Sequence, residues 1–138
     1  MQIVKQKPTK RKFCAPIARL SAGFPSPALD YEKERIDLNE IIIKNPEATY
    51  YARVDGESMK EAGIRDGDLL VVDKSIEAQD GQIAVCFLNG EFTLKRLKYY
   101  GKELWLIPEN KNYSSLKVEE ESDFRIWGVV TYVIKKTI

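Results

Sequence analysis

The stretch VDGESMKEAGIRDGDLLVVD, residues 54–73, sets Ser58 shortly after Gly56 and ahead of a run of Gly-Asp turn signals. A serine exposed on such a turn can act as a nucleophile once a base removes its hydroxyl proton, and histidine is the usual base. The chain contains no histidine. The remaining candidates are a lysine, a carboxylate or an N-terminal amine. A lysine serves only when neutral, a state that burial favours by penalising the ammonium. Lys95 is the preferred lysine, because of what its strand places beside it. Asn89-Gly90 matches a two-residue type I′ turn, whose central residues both need positive φ. With that loop Leu88 faces Glu91, Ala84 faces Lys95 and Cys86 faces Thr93, which leaves space next to the amine. Val85, Phe87, Phe92 and Leu94 fall on the opposite face, the expected core side. The same residues also admit a plain structural role. Serine is common in turns, Lys95-Arg96-Leu97-Lys98 reads equally as a solvated strand end, and Asp55, Glu57, Asp66 and Asp68 read as turn residues.

Other chemistries are excluded by what is missing. Neither GxGxxG nor GxxxxGK[ST] occurs, and no paired-carboxylate pattern emerges. A Cys/His zinc site fails by counting, so neither a metal nor a cofactor is expected. Cys14 and Cys86 allow one disulfide at most and suit a reducing cytoplasm equally well. No run approaches the roughly 20 apolar residues that span a bilayer, so no membrane anchor is expected.

Charge divides the chain unevenly. Lys5, Lys7, Lys10, Arg11, Lys12 and Arg19 are the charged residues of positions 1–22, and the first acid is Asp30. The whole chain has 22 Lys and Arg against 21 Asp and Glu, so without those six the remainder carries five more acids than bases. A basic arm therefore precedes an acidic body. A targeting reading of the arm is the less favoured one, because Pro16 and Arg19 interrupt the apolar part and Pro8 with Pro16 opposes an amphipathic helix. An extended or disordered arm is expected.

The elements that must position Ser58 and Lys95 follow from periodicity. GFPSPALDYEKER should lie open, since Pro25 and Pro27 push the residues before them toward extended backbone. A short helix is expected around 37–44, started by Asp37 or Asn39 and ended before Pro46. From Ala48 onward TYYARV, DLLVVD, QIAVCFL, EFTLKRL, ELWLIP and FRIWGVVTYVIK read as short strands, separated by glycine turns. The fold class is mostly β: a compact, rolled antiparallel domain at 48–138, with a linker at 23–47 and the arm at 1–22. With 138 residues there is room for one such core.

VDGESMKEAGIRDGDLLVVD resembles the nucleophile region of the LexA/UmuD family of self-cleaving Ser/Lys proteases. GEFTLKRL resembles the family's lysine strand, and LSAGFPSPALDYEKERIDLNE its cleavage-site region. The likeness runs from about Ala22 to the C-terminal strand, in the family's order. It implies a LexA/signal-peptidase-like fold, Ser58 as nucleophile, Lys95 as general base and Ala22-Gly23 as the scissile bond. It also implies a bacterial cytoplasmic protein of the SOS response that forms homodimers and cleaves itself when stimulated by a RecA–single-stranded DNA filament. The product would then join a UmuC-like, Y-family translesion polymerase as accessory subunit. Only 22 residues precede the bond, too few for a three-helix DNA-binding unit, so the UmuD-like branch is expected. Two departures stand out. Ala22 replaces a common cysteine, small for small, and KFCAPIARL does not follow the family pattern, so no sliding-clamp contact is carried over to the arm.

Two other functions compete. A signal-peptidase-like Ser/Lys protease acting in trans would normally carry a membrane anchor. A non-catalytic β-domain dimerisation module would use Ser58 and Lys95 only structurally.

Overall fold

The computed structural model describes residues 1–6, 14–17, 22–23 and 35–138. Two units are distinguished, Met1–Gln6 with Asn45–Ile138 and, separately, Lys7–Lys44. The expected open course of Phe24–Ser26 and most of the arm's positive residues lie outside the described residues. In the smaller unit β2 (Cys14–Pro16) pairs antiparallel with β3 (Arg35–Asp37), and helix α1 covers Leu38–Ile42. Asp37 caps that helix: its Oδ1 accepts from the Asn39 N–H at 3.0 Å, relieving one of the donors a helix start leaves unpaired.

The larger unit is one antiparallel sheet. Its strands are β1 (Gln2–Lys5), β4 (Thr49–Arg53), β5 (Leu69–Asp73), β6 (Ile83–Leu88), β7 (Glu91–Tyr100), β8 (Glu103–Ile107), β9 (Leu116–Lys117) and β10 (Phe124–Ile134). The order across the sheet is β1-β4-β5-β10-β6-β7-β8-β9. All six runs read as strands from sequence form strands. The first arm residues are extended as expected, but as a paired strand: Gln2 lies opposite Arg53 and Lys5 opposite Tyr50.

Asn89-Gly90 forms the turn that its sequence demands, with φ of 49° and 88°. Leu88 faces Glu91, Cys86 faces Thr93 and Ala84 faces Lys95, the expected register. The burial of the two faces differs from expectation. Val85 and Leu94 are in the core as read, but Phe92 is 45% exposed and stacks edge-on against Phe87 and Trp127. The reverse face is also dry: Ala84 and Cys86 are fully buried in a second cluster with Leu97 and Leu106. A central strand covered on both faces has no polar alternation to keep, which accounts for the continuous apolar run IAVCF.

β10 bends twice to serve both neighbours. Its pairing with β6 shifts between Ile126 and Gly128, and its pairing with β5 shifts between Val130 and Tyr132. Such bulges kink a strand and sharpen its twist. The first turns Trp127 to an edge-on contact with Tyr50, their centroids 4.8 Å apart. It also presses the β10 backbone onto β5 at Gly128, where an added Cβ would lie 2.6 Å from Val72 Cγ1. Gly128→Ala should therefore force Val72 out of its packed position and cost about 1–3 kcal/mol, as overpacking does. Urea unfolding should show a lower midpoint with an unchanged slope.

Candidate active site

The chain leaves β4 at Arg53 and is tied at once to a second turn. The Val54 N–H donates to the Asp68 carbonyl at 2.9 Å, and the Gly67 N–H to the Val54 carbonyl at 2.8 Å. Gly56 takes φ +90°, where a side chain would be strained, and its N–H donates to Asp66 Oδ1 at 2.7 Å. After Ser58 comes Met59, only 2% exposed and set in the first core cluster with Val54, Ile64 and Leu94. A single 3-10 turn, Lys60–Ala62, then ends at left-handed Gly63. Ser58 is thus held between a glycine that redirects the backbone and a methionine that anchors it. The acids around it are turn-makers, as their types imply: Asp68 Oδ2 accepts from the Arg65 N–H at 2.8 Å and pairs with Lys135.

A further brace escaped the reading of the sequence. Asn110, 6% exposed, donates through Nδ2 to the carbonyl of Glu57 at 2.7 Å, pinning the residue before the serine. The Glu61 N–H donates to the Glu109 carbonyl at 2.7 Å. The Glu109 carboxylate is paired with Arg96, whose Nη1 also donates to the Gly81 carbonyl. Arg96, read as part of a solvated strand end, therefore ties β7 to the loop that supports the serine turn. The only local signal is the polar Glu-Asn pair after Pro108 at the end of β8, and it does not reveal a partner more than fifty residues away.

Ser58 opens on a cavity of about 130 Å³ lined by Met1, Val54, Asp55, Gly56, Met59, Phe92, Thr93 and Leu94. Lys95 reaches the same β7 segment from the other direction. Its Nζ donates to Thr93 Oγ1 at 2.7 Å and to the Leu94 carbonyl at 3.1 Å. Among the described residues no hydrogen bond joins Ser58 to Lys95; what the two share is Thr93-Leu94. Ala22 and Gly23 are exposed, Gly23 at φ +112°, and belong to the smaller unit.

Burial pulls the Lys95 pKa below the ordinary lysine value, opposed by the charge that Cys86 would carry as thiolate. That opposition is weak in practice. Burial pushes the Cys86 thiol up to about 12, so below that pH it is neutral. Desolvation therefore governs the lysine. Cys14 is exposed and Cys86 buried, and neither is in a disulfide. Among the described residues no cluster of His, Cys, Asp and Glu could hold a metal, and no helix is long and apolar enough to cross a membrane.

The lowered lysine pKa has a consequence for stability. Between the folded value and the unfolded value of about 10.4, the unfolded chain binds a proton that the folded chain lacks. Stability should therefore rise with pH across that window, and lie at its lower level below it. Lys95→Met should abolish this rise and be relatively more stable near neutral pH. Urea midpoints of the two proteins from neutral to alkaline pH should converge as pH increases.

The model for the Peptidase S24-like family matches residues 16–131 of the chain. Protein MucA of Escherichia coli is 44% identical over 117 residues, covering 84% of this chain and 80% of MucA. Protein SamA of Salmonella typhimurium is 47% identical over 119 residues, covering 86% and 82%. The LexA repressor of Acidithiobacillus ferrooxidans is 41% identical over 122 residues, which cover 86% of this chain but 59% of the repressor. Likeness of this extent, running through both the serine turn and the lysine strand, places the chain in the S24 peptidase-like family, the LexA/UmuD group of self-cleaving, serine-type proteases.

Proposed function

We propose that this chain is a UmuD-like SOS-response protein that cuts itself between Ala22 and Gly23, with Ser58 as nucleophile and Lys95 as base. The carrying observation is the placement of a partly desolvated lysine amine on Thr93, a residue that lines the cavity into which Ser58 opens. Family membership and the resemblance around residues 22–23 support the rest.

The chemistry balances with these groups and one water molecule. Neutral Lys95 Nζ takes the Ser58 hydroxyl proton as Oγ bonds to the Ala22 carbonyl carbon. The resulting oxyanion accepts from the Ser58 backbone N–H, which has no other acceptor among the described residues. Collapse breaks the Ala22–Gly23 bond, and the lysine ammonium returns its proton to the Gly23 amine. Water, deprotonated by the same lysine, then attacks the Ser58 ester, the acyl carbon–Oγ bond breaks, and the ammonium returns its proton to Ser58 Oγ. Glycine after the bond lets the backbone approach closely, and Ala22 needs only a small pocket.

By the same reading the protein is a homodimer whose cleavage a RecA–single-stranded DNA filament stimulates. The trimmed form serves a UmuC-like, Y-family translesion polymerase as accessory subunit, in the bacterial cytoplasm. The segment removed is residues 1–22, and residues 23–47 lead into the protease-like body.

Incubation of the purified protein at alkaline pH tests the reading. Mass and N-terminal sequence should give a body beginning at Gly23, and Ala22→Glu should block processing by desolvating a charge in a pocket sized for a methyl group. A different new terminus would reject the assigned bond. Intact, folded dimer would leave the non-catalytic interaction module as the better description.

The pH profile separates the base from its alternatives. Unstimulated cleavage should rise with pH through the effective pKa of Lys95 and then level off. Lys95→Arg should be inactive even when alkaline, because guanidinium stays protonated, and Ser58→Ala should be equally inactive while folded. Substantial alkaline cleavage by folded Lys95→Arg would show that another group activates the serine.

A further inference from the structure

The two ends of the sheet are protected very differently. At one end β9 is two residues long, too short to template another strand. At the other, β4 is a five-residue strand, TYYAR, that opens with a β-branched and two aromatic side chains, and among the described residues its outer edge is covered only by β1. Remove β1 and a row of unpaired N–H and C=O groups is left facing solvent, which is a ready template for strand addition.

β1 fills this edge as a ligand would. Gln2 to Lys5 pair with Arg53 to Tyr50 in antiparallel register, and the Gln6 N–H extends the ladder to the Thr49 carbonyl at 3.1 Å. Met1 and Ile3 pack onto the first core cluster, and the Met1 side chain, 9% exposed, forms a wall of the Ser58 cavity. Both ends of the strand are marked by acids of the body. The Met1 ammonium lies 2.6 Å from Asp55 Oδ2, and Lys5 Nζ lies 4.0 Å from Glu47 Oε2.

The hold on β1 is nonetheless modest. It is four residues long and, among the described residues, paired on one side only, and Val4 is exposed. Asp55 and Glu47 are 75% and 94% exposed, so each pair contributes little and is screened by salt. The edge is specific, while its present occupant is weakly attached.

We propose that the outer edge of β4 is an exchangeable strand-acceptor site. Gln2–Lys5 hold it in the intact chain, and once the segment before Gly23 is cut away it takes an extended, basic segment of a partner protein. That segment presents a cation to Asp55, a second to Glu47, and a branched apolar side chain in the place of Ile3. The hand-over to a partner rests on the self-cleavage proposed above; the acceptor site itself does not.

The test uses the full chain carrying Ser58→Ala, so that cleavage plays no part, and the labelled peptide MQIVKQK as probe. Ile3→Glu with Val4→Pro should release β1, because one buries a charge and the other removes a ladder donor. Hydrogen exchange at Thr49–Arg53 should then accelerate while β5 and β10 stay protected. The peptide should bind the released chain one to one, restore protection of β4, and bind the unreleased chain at least tenfold more weakly. Adding Asp55→Lys should weaken peptide binding severalfold, and a peptide with glutamate at its third position should not bind. If β5 and β10 lose protection as well, Val4→Pro alone, at an exposed side chain, replaces the pair. An edge that stays protected, an open edge that takes no peptide, or equal binding with β1 in place would overturn the proposal. Self-cleavage of the unaltered chain is scored separately, so the failure of either reading is visible without the other.

Discussion

The register of the β6–β7 hairpin is the constraint on which the rest of this structure depends. Asn89 accepts a positive φ and Gly90 adopts one freely, so the loop closes in two residues and every later pair is set. Lys95 consequently stands opposite Ala84, in a strand pair whose shared face also carries Cys86 and Thr93. Ala84 and Cys86 are fully buried, so the lysine stem leaves a dry surface and its amine is partly stripped of water. A slip of one residue would send Lys95 to the face of Val85, in place of Leu94, and bring a different side chain to this place. The chemistry proposed for Ser58 therefore begins in a turn more than thirty residues away along the chain.

The serine turn depends on the same strand by a second route. Arg96, next to Lys95 and pointing to the other face, pairs with Glu109, and the Glu109–Asn110 loop holds the backbone on both sides of the serine, at Glu57 and Glu61. β7 thus supplies the amine on one face and, through an arginine and a loop, the support for the nucleophile on the other. This arrangement explains how a serine on a short turn is held with only a single 3-10 turn beside it. The Met59 side chain completes the hold by entering the core that Leu94 of β7 also lines.

Much of the fold was legible in the chain because its signals are local. Runs such as DLLVVD and QIAVCFL carry strand character in their own side chains, and Asp37 before a short apolar stretch marks a helix start. The parts that escaped lack such signals or draw them from elsewhere. β1, QIVK, is too short and too polar to read as a strand by itself; it becomes one because β4 offers an edge and the core accepts Ile3. Phe92 looked like a core residue by alternation, yet near the hairpin end it is half exposed and sets its ring edge-on against Phe87 and Trp127. Asn110 carries no hint of a role in its neighbours, since its partner carbonyl is 53 positions away.

What the sequence by itself determined was the inventory and the short-range geometry: no histidine, a serine on a glycine turn, and a lysine whose cross-strand neighbour is alanine. Those follow from composition and from a two-residue loop, neither of which needs the rest of the molecule. Tertiary structure alone decided that the second face of the hairpin is also buried, that the lysine amine rests on Thr93, and that Asn110 and Met1 border the serine. Desolvation and side-chain hydrogen bonds depend on which groups meet in space. Here the groups that meet come from strands that are neighbours in the sheet and distant in the chain.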